Sequence, residues 1–129
     1  MLEIRYSGNE TVDLRASKVE FLNLRDSIIG IIESDLREIH FETDEAIDPK
    51  PWESVANGLT VFREGDAVYS SITKDGVLRV EGSDENLKSF LSFFPIDESV
   101  DAGEHTHFEY YEGNPFIRQD SVPLVISIR

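Results

Sequence analysis

The chain has 129 residues, 26 acidic against 12 basic side chains, a net charge of −14 and no cysteine. Disulfides, Cys-based zinc sites and Cys nucleophiles are thereby excluded, and a field of this sign disfavours nucleic acid and anionic membrane surfaces, leaving a cationic protein as the partner it would attract. Hydrophobic residues at 40% and aromatics at 10% suffice for a packed core. The opening MLEIRYSGNE places Glu3 and Arg5 where a signal peptide needs apolar residues, and no run approaches the roughly 20 apolar residues of a membrane span. A cytoplasmic protein is the expectation.

In chain order, MLEIRYS (1–7), a GNE turn and TVDLRAS (11–17) read as a hairpin. Ser17 then opens an apolar stripe at helical spacing, Phe21, Leu24, Ile28, Ile31 and Ile32, and Ser17 with Glu20 forms a capping box, so a helix is predicted over 18–33. A strand follows at Ile39-His40-Phe41-Glu42. The 43–58 segment, with two prolines, reads as a connection, and LTVFRE (59–64) as another strand.

The same order then repeats at an offset of about 66 residues. AVYSSI (67–72), the turn KDG and VLRVEGS (77–83) form the second hairpin. Ser83, Asp84 and Glu85 start a second helix over 84–94, with Leu87, Phe90, Leu91 and Phe94 in phase with the first stripe and Pro95 as the stop. Thr106-His107-Phe108-Glu109 matches the strand at 39–42, and PLVISIR (123–129) matches 59–64. The charge also repeats: residues 1–65 hold 7 basic and 14 acidic side chains and residues 66–129 hold 5 and 12.

The predicted fold is therefore α+β, a single pseudo-two-fold domain over 1–129. It is a tandem duplication of a strand-strand-helix-strand-strand unit, with copies at about 1–64 and 66–129. A unit of this size buries too small a fraction of its surface to stand alone, so the copies are expected to share a core. The simplest arrangement is about eight mostly antiparallel strands with two helices on one face.

Alternation sends Ile39, Phe41, Phe108 and Tyr110 inward and Glu38, His40, Glu42, His105, His107 and Glu109 outward. All three histidines of the chain fall in this outward set. Glu3, Arg5, Arg15, Arg79 and Glu81 are expected on the same face. His105-x-His107-x-Glu109 sets neighbouring side chains about 6.5–7 Å apart, a spacing from which two ligands can share a metal ion, so a metal-binding module or metal-dependent enzyme is one alternative reading. A sheet face that self-associates into a homodimer is another. No G-x-S-x-G elbow, Walker sequence or G-x-G-x-x-G fingerprint is present, and neither an enzyme nor a cofactor is expected. Pro51-Trp52 matches Pro115-Phe116, so Trp52 reads as an aromatic capping one end of its copy, or else as an exposed binding anchor.

The second half, LRVEGSDENLKSFLSFF followed by HTHFEYYEGNPFIRQDSVPLVISI, resembles small bacterial immunity proteins of polymorphic-toxin and contact-dependent-inhibition systems. The resemblance covers residues 77–128 well and the first copy more faintly, where Glu38 stands in place of the first His. It implies a small cytoplasmic protein that binds a cognate toxin domain and blocks it without catalysis. The outward residues Glu38, His40, Glu42, His105, His107 and Glu109 are then the expected contact surface for a basic partner.

Overall fold

The computed structural model describes every residue except Glu98. Its elements are β1 (Glu3–Ser7), β2 (Thr11–Ala16), α1 (Lys18–Ile32), β3 (Glu38–Phe41), β4 (Ser54–Val55), β5 (Leu59–Phe62), β6 (Tyr69–Ile72), β7 (Leu78–Glu81), α2 (Asp84–Leu91), β8 (His105–Phe108) and β9 (Leu124–Ile128). The protein is α+β, with two helices and nine mostly antiparallel strands among the described residues. No helix among them is long and apolar enough to cross a membrane.

The expected capping box is present. Ser17 Oγ accepts from the Glu20 N–H at 3.2 Å and the Ser17 N–H donates to Glu20 Oε1 at 3.1 Å. Ser83 Oγ likewise accepts from the Asn86 N–H at 3.2 Å. Phe21, Leu24, Ile28, Leu87, Phe90 and Phe94 are all buried. The second helix is shorter than its apolar phase predicted. It ends at Leu91, and the N–H groups of Phe93 and Phe94 bond three residues back, to Phe90 and Leu91. This tighter turn stops the helix just before Pro95, whose ring disfavours helical backbone in the residue preceding it.

The strands do not form a single sheet. They divide into two sheets, ordered β4-β1-β2-β9-β8 and β3-β5-β7-β6. In each, the hairpin of one copy is joined to two strands that follow the helix of the other. β2 pairs in parallel with β9, Val12 against Leu124, and β7 pairs in parallel with β5, Leu78 against Leu59. β8 and β3 complete the two sheets on equivalent edges, antiparallel to β9 and β5. Single hydrogen bonds repeat too: the Ala56 N–H donates to Ile4 O and the Val122 N–H to Ser70 O, both at 2.8 Å.

Exchange of strands accounts for the shared core. Ile4, Leu14 and Ile126 from one sheet, Val61, Leu78 and Val80 from the other, and Phe21, Ile28, Leu87 and Phe90 from the helices belong to one buried cluster. Neither copy can bury its apolar faces without the other's strands, which is how two units of marginal size make one stable body. The 43–58 connection also contributes β4, which pairs with β1 and widens one sheet to five strands.

Candidate functional site

The six outward residues keep the alternation expected of them, but they do not lie on one sheet face. Glu38 and His40 sit on β3, the edge of the four-stranded sheet, whereas His105 and His107 sit on β8, the edge of the five-stranded sheet. Division of the strands into two sheets parts them. Glu42 and Glu109 follow the ends of these two strands, and all six side chains are exposed.

Around β3 the surface is acidic and firmly backed. The His40 ring rests over Gly58, where a Cβ would come within 2.6 Å of His40 Cε1, and His40 Nδ1 lies 2.9 Å from Thr60 Oγ1 on the paired strand. Gly58 has φ +150°, and a side chain there would displace the imidazole. Beyond His40, an open cleft of about 570 Å³ is lined by Glu42, Asp44 and Glu45 together with Met1, Thr43 and Asn57. Its wall is fixed by the Asp44 N–H bonding to Leu2 O at 2.8 Å and by Thr43 Oγ1 donating to Ala56 O at 3.0 Å. Glu38, Glu42, Asp44 and Glu45 form no ion pair among the described residues.

On β8 the His105 and His107 rings meet edge to face, with centroids 5.0 Å apart. Glu109 lies past the end of the strand, and the described residues contain no group of three His, Asp or Glu side chains arranged to hold a metal. The alternative reading of His105-x-His107-x-Glu109 as a metal-ligand set is therefore not supported by their placement among the described residues.

A second cleft, of about 370 Å³, opens on the outer face of the five-stranded sheet and was not singled out from sequence. Arg5, Asp13, Arg15, Lys50, Trp52, His105 and Ser127 line it. At its floor Asp13 is only 5% exposed. Burial pushes this carboxyl above the usual aspartate range, opposed by a hydrogen bond from Ser127 and the charges of Arg5 and Arg15. Arg5 is held by the Asp48 carbonyl at 2.8 Å and by Glu3 at 3.2 Å, while the side chains of Arg15 and Lys50 have no ion pair among the described residues. Trp52 is half-buried on this rim and Phe116 is 47% exposed, so the two do not act as matched end caps. The match failed because the neighbouring chain differs: the segment carrying Trp52 leads into β4 and lies against the five-stranded sheet, whereas Phe116 precedes a single bridge between Ile117 and Val68.

The equivalent place on the other sheet is filled. The strand registers match Asp13 with Arg79 and Ser127 with Phe62. There the Arg79 guanidinium stacks 3.8 Å from the centroid of the Phe62 ring and pairs with Glu64 and Glu81. A short acid and a serine on one sheet, in place of a stacked Arg–Phe pair on the other, leave the cleft open.

A buried, upward-shifted carboxylate disfavours folding once it is charged. Because its folded-state pKa lies above the unfolded value, the stability associated with its protonated form is full below the ordinary aspartate range and is lost as pH rises through the folded pKa. Asp13→Asn is accordingly expected to raise the Tm at pH 7, with the gain shrinking as pH falls toward that range. A pH series of thermal melts checks this, and a variant less stable than the parent at pH 7 would show that Arg5 and Arg15 more than offset the burial.

Comparison with family models, with curated proteins and with solved structures finds no match to this chain.

Proposed function

We propose that the chain is an immunity-type binding protein that acts in the cytoplasm, neutralising a cognate basic toxin domain by receiving its Lys and Arg side chains in the acidic cleft beside β3, with no catalysis of its own. The observation that carries this reading is the gathering of Glu42, Asp44 and Glu45, none in an ion pair among the described residues, on one cleft next to Glu38 of β3, against a net charge of −14. Several other acids are held by arginines, Glu3 and Glu20 by Arg129, Glu64 and Glu81 by Arg79, and Asp84 by Arg63, and so are less free to meet a partner. Unpaired carboxylates on a fixed wall attract a cationic surface from a distance and lose little freedom when it arrives. The resemblance of residues 77–128 to immunity proteins points the same way.

The test is Glu42→Lys with Glu45→Lys. Both side chains are exposed, so the Tm of the free protein is expected to stay nearly unchanged. Association with the proposed basic toxin domain is expected to slow by about tenfold or more at low salt, with a flatter salt dependence, and co-expression should no longer protect cells. Unchanged association and full protection by the double variant would overturn the assignment of this cleft.

A further inference from the structure

We propose that the cleft over Asp13 binds a small ligand that joins an anionic group to a flat ring bearing an N–H donor, the chemistry of a mononucleotide. Three independent features of the cleft select these three parts.

The first is the acceptor. Asp13 Oδ1 accepts from the Ser127 hydroxyl at 3.1 Å, while Oδ2 makes no hydrogen bond among the described residues. No buried side-chain polar atom among them lacks a partner, so Oδ2 must be reached from the cleft rather than sealed beneath it. A carboxylate buried to this extent, with one oxygen facing an open cleft, is set to accept from a ligand N–H.

The second is the cation pair. Arg15 and Lys50 stand at the cleft without ion-pair partners among the described residues, in a molecule with more than twice as many acids as bases. Other arginines, Arg63, Arg79, Arg118 and Arg129 among them, are taken up by carboxylates and so are not open to a ligand. Cations gathered unpaired on one cleft therefore suit a phosphate, and Arg5, anchored by Glu3 and the Asp48 carbonyl, adds a fixed positive edge.

The third is the ring. Trp52 offers the flat apolar wall on which a base can stack. The volume of about 370 Å³ falls within the range of small-molecule sites, toward its lower end, and admits one nucleotide rather than an oligonucleotide. The internal duplicate is a control within the molecule: where Arg79 and Phe62 fill the equivalent space, neither an open acceptor nor unpaired cations remain.

Trp52 is the only tryptophan, so its indole N–H resonance reports on this cleft alone. Titration of the full chain with guanosine and adenosine monophosphates, followed by two-dimensional NMR, is expected to shift that resonance saturably. Guanosine and inorganic phosphate, each offering part of the ligand, should bind at least about tenfold more weakly than the nucleotide. Arg15→Ala with Lys50→Ala, both exposed positions, should lose about tenfold or more for the nucleotide while leaving guanosine binding unchanged. Asp13→Asn, which keeps the shape of the floor, should weaken the nucleoside and the nucleotide alike. No saturable shift with either nucleotide would overturn the proposal, and so would equal binding of guanosine and its monophosphate or unaltered affinity in the double variant.

Discussion

Phe90→Ala is expected to destabilise the protein by about 4 kcal/mol, a large part of the roughly 5–15 kcal/mol by which domains of this kind are held. Phe90, on α2, is fully buried in the cluster that residues of both sheets and both helices share. Its ring stands edge-on to Phe94 at 5.2 Å and to Phe108 at 5.1 Å, and these continue to Phe21 at 5.2 Å and Phe93 at 4.9 Å. Truncation thus opens a cavity in a row of rings tying α1, α2 and β8 together, where neighbours already packed on several sides cannot collapse into the gap. A fall in Tm of more than about 10 °C should follow. A change of only a few degrees would mean that the aromatic row is not central to the shared core.

Arg63→Met should produce the second large loss, by a different cause. The last turn of α1 contains no basic residue to match its exposed carbonyls. Arg63, just after β5, supplies that charge from across the fold: Nη1 donates to the carbonyls of Ile31, Ser34 and Leu36 at 2.9, 2.8 and 2.7 Å. Its Nε and Nη2 grip both oxygens of Asp84, the first residue of α2, at 2.8 and 2.9 Å. One guanidinium therefore joins the end of one helix to the start of the other, and Met would fill its volume while removing the charged donor from the Ser34 and Leu36 carbonyls and from the Asp84 carboxylate, Ile31 O keeping its bonds from Ser34. The Tm should fall by several degrees, and amides in the last turn of α1 should exchange faster.

The Arg63 hydrogen bonds hold the Asp84 carboxyl below the usual aspartate range. The associated stability is present above the unfolded aspartate pKa and lost as pH falls through the folded one, so the gap between parent and Arg63→Met should be widest near neutrality and narrow on acidification. A gap that does not change with pH would mean that the carbonyl contacts alone carry the effect.

Local structure was legible in the sequence because local rules write it: Ser17 and Glu20 close a capping box, Phe21 to Ile32 follow the helical period, and Glu38-Ile39-His40-Phe41 alternates as a strand. Strand partners were not. A period of two states which side of a strand faces the core but not which neighbour it pairs with, so the exchange of β5 and β9 between copies, and the two sheets it creates, left no local mark. The division into two sheets is also why Glu38 and His40 part from His105 and His107. The cleft over Asp13 was hidden for a related reason. In TVDLRA, Asp13 reads as one more polar residue on the outward side, and its burial arises from β9 alongside and from the segment carrying Lys50 and Trp52, far away in the chain. The difference between Ser127 and Phe62 was visible as letters, but it became informative only once the registers placed both at the same point of their sheets.

The most direct test of the proposed binding surface is a hydrogen-exchange footprint of the protein bound to the basic toxin domain proposed as its partner, compared with the free protein. The prediction is slowed exchange concentrated in residues 38–46 and around Gly58, with no change along the outer face of β2 and β9. Slowed exchange confined to the five-stranded sheet or to the helices, with residues 38–46 unaffected, would contradict the acidic cleft as the place where the partner binds.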